Sequence, residues 1–354
     1  MPSLAELVDA VVGVDTHRDT HEIEIADPTG TPIATIKISN DSDGYAQLLT
    51  WIFQQAPGTR LAVSIEGTRS YGVGLARTVA AAGLMVIECE QPNRKQRRGK
   101  GKSDPIDAHL AVMTALRLDA DRLPTPRADG DREALRILLA ARHDLTSANT
   151  AQSNRLRALL LSGEDGDRQA ARQALTEAVL GGLARRRAPR DASREQAIRH
   201  AEIRRLALAL REAAVQLKAN RRQLQAIVED LAPGLTDRHG IGPISAAQAI
   251  VSFSHPGRCC SEAAFAALAG TKPLQASSGR TIRHRLNRGG DRALNRAIHT
   301  IAVTRMRSCP RTRAYVQRRT LEGKSTREIR RCLKRYIARE LYRTLTTTMR
   351  PADA

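Results

Sequence analysis

Apolar and polar positions change period several times along this 354-residue chain, and these changes predict its secondary structure. Short β-rich runs broken by turn residues predict strands at 11–15, 21–27, 32–38, 61–66 and 84–90. Helical spacing predicts helices at 45–55 and 71–82. Short turns between the first three strands favour an antiparallel meander, so the first part of the chain is predicted to be a mixed α/β domain.

The middle of the chain has the pattern of long helices. Apolar residues recur at helical spacing over 131–162 and again over 191–231, without an internal Pro or Gly. A polar, Arg-rich insert at 162–190 separates them. Two long helices around such an insert are typical of an antiparallel coiled-coil arm. A helical bundle within a compact domain is the alternative.

The last part of the chain is predicted to be helical and basic. Residues 240–243 (GIGP) precede predicted helices at 244–253 and 261–269, and a Gly-x-Gly turn before a helix lets backbone amides approach a phosphate, as in helix-hairpin-helix elements. An ordinary turn fits the same residues. From residue 291 onwards, helical spacing combines with a high density of arginine, which favours contact with nucleic acid.

Composition points to a polyanionic partner. The 57 Lys and Arg residues exceed the 37 Asp and Glu residues, which gives a formal net charge of +20. Aromatic residues make up only 3% of the chain, so contacts to phosphates are expected to outweigh base stacking. No apolar run approaches the ~18 residues of a membrane span, and a cytoplasmic, nucleoid-associated protein with free thiols and no membrane contact is expected.

A basic segment follows the fifth predicted strand. Six cations fall within residues 94–102, together with two glycines. This composition predicts a loop that contacts nucleic acid. The cations are Arg94, Lys95, Arg97, Arg98, Lys100 and Lys102.

Four acids form the first candidate site. The order of three strands, helix, strand, helix, strand is that of a ribonuclease-H-like sheet, although other α/β sheets share it. In such a sheet the first and fourth strands are adjacent, so Asp15 and Glu66, which end those strands, are expected to meet. Asp104 and Asp107 lie three residues apart at a helix start and share one face. Helix capping would explain this second pair equally well.

Converging carboxylates repel one another unless cations neutralise them, and hard divalent ions suit oxygen ligands. We therefore predict a Mg²⁺ site, with Mn²⁺ as an alternative, formed by Asp15, Glu66, Asp104 and Asp107. Two such ions about 4 Å apart stabilise the attacking and leaving oxygens of a phosphodiester. A basic protein with this site is expected to act on phosphodiesters.

Two hydroxyls form the second candidate site. Ser277 and Ser278 precede a segment rich in guanidinium groups. A serine that attacks phosphorus needs nearby cations, and Ser-Ser-Gly is otherwise common in turns. The candidate nucleic-acid-binding arginines here are Arg280, Arg283, Arg285 and Arg288.

Taken together, these motifs resemble the DEDD-type insertion-sequence transposases with a C-terminal serine domain, also described as bridge-RNA-guided recombinases. The motifs that carry the resemblance, in order, are 12–17 (VGVDTH), 65–67 (IEG), 102–108 (KSDPIDA), 240–243 (GIGP), 276–280 (ASSGR) and 288–295 (RGGDRALN).

The resemblance implies a RuvC-like catalytic domain at 1–125, a helical coiled-coil arm at 126–232 and a helical C-terminal transposase domain at 233–354. It also implies that the four acids are catalytic, that Ser277 or Ser278 forms a transient covalent link to DNA, and that the acidic site comes from a neighbouring protomer. Double-stranded DNA, a structured noncoding guide RNA and a dimeric or tetrameric homo-oligomer are the implied partners.

Two other functions fit the residues. A RuvC-like Holliday-junction-type endonuclease would use water in place of the serine and would form no protein–DNA adduct. A non-catalytic nucleic-acid-binding protein would use the acids only as caps and turns, and its binding would be indifferent to magnesium. The predicted function is a DNA transposase or recombinase that cleaves and exchanges strands of double-stranded DNA.

Overall fold

The computed structural model describes residues 2–89, 104–120, 123–275, 284–285, 287 and 289–349. The chain divides into two compact units. The first combines Met1–Glu133 with Ala249–Ala354, and the second is Ala134–Gln248.

A five-stranded mixed sheet forms the centre of the N-terminal part of the first unit. Its strands are β1 (Ala10–Thr16), β2 (Thr20–Ala26), β3 (Pro32–Ser39), β4 (Leu61–Glu66) and β5 (Met85–Cys89). The spatial order is β3-β2-β1-β4-β5. Strands β1, β2 and β3 pair antiparallel, which confirms the predicted meander, and β4 runs parallel to both β1 and β5.

Three helices accompany this sheet, namely α1 (Ser42–Gln55), α2 (Val73–Ala81) and α3 (Asp104–Leu116). Alternate residues of β1 belong to different cores because successive side chains point to opposite faces. Val12 and Val14 pack with Leu48 of α1. On the other face, Val11 packs with Val112 of α3. Strand β1 is therefore buried on both faces of the sheet.

The C-terminal part of the first unit is helical. Its elements are α8 (Pro243–Phe253), α9 (Glu262–Leu268), the two-residue strands β6 (Leu274–Gln275) and β7 (His284–Arg285), α10 (Arg292–Ser308), α11 (Pro310–Leu321) and α12 (Thr326–Thr348). Three rings from α8, α9 and α12 form an aromatic cluster, because Phe253, Phe265 and Tyr342 have centroids 5.9–6.1 Å apart. Burial of these large rings holds the helices together.

The second unit contains two long helices and two short ones. These are α4 (Gly130–Leu161), α5 (Asp165–Arg172), α6 (Glu177–Arg185) and α7 (Arg194–Leu231). The predicted long helices are present, and the insert between them is itself helical. Leu156 and Leu160 of α4 pack in one core with Leu206 of α7. Asn220 Nδ2 of α7 donates a 2.9 Å hydrogen bond to the backbone oxygen of Leu138 in α4.

These contacts pair α4 and α7 in antiparallel fashion, since the later part of α4 meets the earlier part of α7. A coiled-coil repeat stays a prediction, as does the division at 125 and 232. In the described part of the chain, no helix is both long and apolar enough to cross a membrane.

Candidate active site

Two buried acids stand at the carboxyl ends of neighbouring strands of the sheet. Val14 and Ile65 are the last paired residues of the parallel strands β1 and β4, and the next residue on each strand is an acid, Asp15 and Glu66. Residues at the same level of neighbouring parallel strands point to the same face. Asp15 is 6% exposed and Glu66 is 7% exposed. The predicted adjacency of the first and fourth strands is confirmed.

The backbone at this edge is held in a fixed geometry. Thr16 Oγ1 donates a 2.9 Å hydrogen bond to the backbone oxygen of Glu66, which ties the ends of β1 and β4 together. Gly67 follows with φ +67°, a left-handed conformation that glycine adopts without strain, and the chain turns at once. Gly67 also accepts backbone hydrogen bonds from Ser70 and Gly72. The two carboxylates therefore sit on a rigid corner.

Helix α3 crosses the same face of the sheet. A Cβ atom on Gly13 would lie 2.2 Å from the backbone oxygen of Ala108, so only glycine permits this approach. Ser64 Oγ donates a 3.0 Å hydrogen bond to the oxygen of Ala111. Val112 packs against Val11, one step further from the site. Helix α3 thus runs antiparallel to β1, and its first turn points towards the carboxyl end of that strand.

This geometry places the second pair of acids. Asp107 directly precedes Ala108, and it shares a helix stripe with Ala111, four residues on. Asp107 is partly exposed. Asp104 is the first residue of α3 and lies one turn earlier on that stripe, but its side chain lies outside the described residues. The helix therefore brings both positions to the end of the sheet where Asp15 and Glu66 lie.

Other charged residues on this face were missed by the sequence reasoning. Glu22 of β2 is the register partner of Asp15, and its carboxylate lies 2.7 Å from Lys37 Nζ. Glu24, two residues on, lies 2.6 Å from Nδ1 of His109 on α3. The alternation of acids with isoleucine in 21–25 was a partial signal, because a period of two puts both glutamates on one face of β2, and the register with β1 makes it the face of Asp15.

A histidine also borders the site. His17 Nε2 lies 3.2 Å from Asp15 Oδ2, and its side chain is about half exposed. Across the β1–β2 pair, His21 is fully buried on the other face of the sheet, parallel to the ring of Tyr45. Burial is the main cause that lowers the pKa of His21 below its usual value. Burial therefore favours the neutral form of the His21 ring.

A buried ion pair braces the strand next to Glu66. Glu88 and Arg127 are both buried, and Arg127 Nε donates a 2.7 Å hydrogen bond to Glu88 Oε2 while a second N–H binds Oε1. Nearby, Arg132 donates to the backbone oxygen of Val251 at 3.2 Å. Burial, and then the charge of Arg127, lowers the pKa of Arg132 to about 10. This network connects the carboxyl end of β5 to the C-terminal part of the first unit.

Hard divalent cations prefer oxygen donors, and the acids Asp15 and Glu66 are both buried and directly follow the last paired residues of β1 and β4. Among the described residues, no group of three or more His, Cys, Asp or Glu side chains is gathered closely enough to hold a metal ion. The side chain of Asp104 lies outside that set.

The second candidate site falls on residues that lie outside the described part of the chain. They include Ser277 and Ser278, the arginines at 280, 283 and 288, and all the cations of 94–102. The described flanks pair with each other, since Gln275 of β6 faces His284 of β7. Arg285 is exposed on β7.

The residues after β7 are packed tightly onto the end of α9. Gly290 has φ +88°, and a Cβ atom there would lie 2.4 Å from the oxygen of Leu268. Asp291 then caps α10 by accepting hydrogen bonds from the amides of Ala293 and Leu294, and its other oxygen accepts from Ser252 Oγ at 2.6 Å. The chain that follows the serine motif is therefore anchored.

Two segments of the chain match known families of transposases. Residues 12–163 match the family of DEDD-type IS110 transposases, and residues 233–317 match the transposase family IS116/IS110/IS902. The first match contains all four predicted acids, and the second contains both serines.

Two relatives come from Streptomyces coelicolor. One is a mini-circle protein whose name assigns it as a transposase for IS117, 29% identical over 153 residues that cover 42% of this chain and 37% of the relative. The other is an uncharacterised 43.6 kDa protein of insertion element IS110, 28% identical over 268 residues that cover 64% of this chain and 66% of the relative. The chain thus spans less than two thirds of either relative.

Both matched families are families of transposases. The first match includes the acidic edge, and the second includes the serine motif. Residues 12–163 and 233–317 are thus similar to two families of insertion-sequence transposases, the first of them DEDD-type.

Proposed function

We propose that this chain is a DNA transposase that cleaves and exchanges strands of double-stranded DNA for an insertion sequence. The observation that carries the proposal is the placement of Asp15 and Glu66, buried and adjacent at the ends of two parallel strands. Buried carboxylates side by side are costly unless a cation neutralises them. The strand order supports a RuvC-like catalytic domain.

In this proposal Asp15, Glu66, Asp104 and Asp107 hold Mg²⁺ or Mn²⁺. The bound ion supplies Lewis-acid stabilisation to the charge that develops on phosphate oxygens. The protein's own part is to fix the carboxylates, through the hydrogen bond from Thr16 to the backbone of Glu66 and through the close packing of α3 on Gly13. These contacts keep the donors in place before DNA arrives.

Ser277 or Ser278 is the proposed nucleophile. Its oxygen bonds to phosphorus while the bond from phosphorus to the departing sugar oxygen breaks, and the hydroxyl proton is released as that sugar oxygen takes up a proton. A guide RNA, a homo-oligomer and an acidic site donated by a neighbouring protomer complete the proposal. Their support is the family resemblance together with the net charge of +20.

The acidic site is tested by isosteric substitutions. Asp15→Asn and Glu66→Gln should each abolish magnesium-dependent cleavage of supercoiled DNA and leave DNA binding intact, because they remove charge without removing volume. Asp19→Asn is the matched control, since Asp19 is fully exposed on the β1–β2 turn. Retained cleavage in Asp15→Asn would refute the acidic site, and binding without any cleavage by the unaltered chain would favour a non-catalytic binding protein.

The serine is tested by trapping. The unaltered chain should form a covalent protein–DNA adduct, and the adduct should disappear with either Ser277→Ala or Ser278→Ala, which identifies the nucleophile. Cleavage without an adduct would favour the RuvC-like endonuclease that uses water.

A further inference from the structure

A cationic cleft lies in the C-terminal helical part of the first unit. It has a volume of about 720 Å³ and is formed by α12, the end of α11 and the residues around β6 and β7. Eight of its sixteen described lining residues are Lys or Arg, and the single acid is Glu328. This excess of cationic over acidic side chains in a concave surface concentrates positive potential there.

The acids near the cleft are already engaged. Glu328 caps the start of α12, since its carboxylate accepts a 2.9 Å hydrogen bond from the amide of Ser325. Glu262 lies 2.8 Å from Arg339 at the rim. Glu322 pairs with Arg319. The cleft therefore retains a net positive charge, which suits an anionic ligand.

The floor of the cleft is rigid. Lys334 is partly buried, and its Nζ donates a 2.5 Å hydrogen bond to Asn295 Oδ1. Asn295 Nδ2 in turn donates to the oxygen of Ala269 at 2.7 Å. Burial, followed by the charge of Arg330, lowers the pKa of Lys334. An anion in the cleft would relieve that cost, because it compensates the poorly solvated ammonium.

An aromatic ring lies among these cations. Tyr336 lines the cleft and is 54% exposed, although the chain is poor in aromatic residues. It is held edge-to-face against Tyr315, with centroids 6.1 Å apart, and Arg318 covers the ring of Tyr315. A fixed ring beside phosphate-binding cations is the arrangement that binds single-stranded nucleic acid, because an unpaired base presents its face for stacking.

The cleft is next to the candidate nucleophile in sequence. Its wall includes Lys272 and Pro273 before the serine motif and Arg285 and Asn287 after it. We propose that this cleft binds an unpaired nucleic-acid strand, with phosphates on Lys324 and Arg331 and a base stacked on Tyr336. The inference rests on the proposed function only for the chemical class of the ligand.

Binding of short oligonucleotides to the full chain, measured by fluorescence anisotropy, tests the cleft. The probes are a single-stranded DNA, a single-stranded RNA and a duplex of the same length. The double variant Lys324→Gln/Arg331→Gln removes two exposed cleft cations. Its matched control, Arg204→Gln/Arg222→Gln, removes two exposed cations of α7 that do not line the cleft.

The cleft variant should weaken single-strand binding about tenfold or more and reduce the slope of log affinity against log salt by about 1.4, since each phosphate contact contributes about 0.7. Tyr336→Leu should weaken it about 5- to 100-fold with the salt slope unchanged. The control variant should leave the single-strand affinity and its salt slope close to those of the unaltered chain. The single strand bound more tightly, DNA or RNA, identifies the source, and equal affinities assign the site to either strand.

Equal losses in the control variant, an unchanged affinity in Tyr336→Leu, or an equal loss of duplex binding would overturn the proposal. The side chains substituted in these variants are all exposed, so each variant is expected to fold, and thermal melts check this. Cleavage-dead Asp15→Asn should show the same single-strand binding as the unaltered chain. Failure of the cleft would therefore leave the transposase proposal standing, and the reverse also holds.

Discussion

Replacing Gly13 by alanine should damage the acidic site through packing alone. Gly13 carries no charge, and its backbone faces α3 where a Cβ atom would lie 2.2 Å from the oxygen of Ala108 and 2.7 Å from Cγ2 of Val112. Neither neighbour yields easily, since the first is helix backbone. Relief requires α3 to move away from β1 by about 1 Å to restore ordinary contact distances.

The magnitude follows from that displacement. Overpacking of a filled core costs about 1–3 kcal/mol of folding stability. Because α3 carries Asp107 one residue before Ala108, the same shift moves an acid relative to Asp15. A misplacement of about 1 Å at a catalytic site costs about 100-fold in rate. At temperatures where the variant stays folded, cleavage should therefore still fall by about 100-fold, a loss that a smaller folded fraction does not explain.

Urea unfolding and cleavage of supercoiled DNA measure the two effects, and anisotropy follows DNA binding. Gly182→Ala is the matched control, because Gly182 lies in α6 with no atom within 4 Å of an added Cβ. It should be neutral or stabilising by about 0.5–1 kcal/mol. Full cleavage activity in Gly13→Ala, or a loss of binding equal to the loss of cleavage, would refute the coupling between this contact and the site.

Three further predictions concern the same unit. Arg127→Met should lower the free energy of unfolding in urea by about 3 kcal/mol, because buried Glu88 loses both hydrogen bonds from Arg127 and keeps only the half-exposed Arg69, 3.6 Å away, and adding Glu88→Gln should restore part of it. Ser64→Ala should cost about 1 kcal/mol in the same assay, since the buried hydrogen bond to Ala111 is lost. The pKa of His21 is lowered by burial, so its stabilising contribution is complete above the ordinary pKa of about 6.5 and is lost as pH falls through the folded-state pKa. The urea midpoint should fall between about pH 7.5 and pH 5 more steeply in the unaltered chain than in His21→Phe.

The sequence predicted the sheet well because its strands are short, apolar and bounded by turn residues. All five predicted strands are present within one or two residues of their bounds. Helix α2 agrees equally well, and helix α1 begins three residues before its predicted start at 45. The adjacency of Asp15 and Glu66 followed from strand order. The acidic edge could therefore be predicted mainly because Asp15 and Glu66 each stand at the end of a buried strand.

Features that depend on pairing were not predictable in the same way. Glu22 and Glu24 join the face of Asp15 only through the β1–β2 register, and a single strand's pattern does not reveal its partner. Helices α5 and α6 were not predicted because arginine obscures their apolar stripe, although Leu180 and Leu183 of α6 lie in the core of the second unit. The two-residue strands β6 and β7 are too short to leave a periodic signal.

The division of the chain has a consequence for its synthesis. The ribosome delivers residues 1–133, then the whole of 134–248, and only afterwards the remaining part of the first unit. The second unit can form its core before residues 249–354, which complete the first unit, have been synthesised. Domains generally fold as units during translation. A nascent chain paused before Tyr342 would leave Phe253 and Phe265 without the third ring of their cluster. Stalled or truncated products are therefore expected to be the aggregation-prone species of this protein.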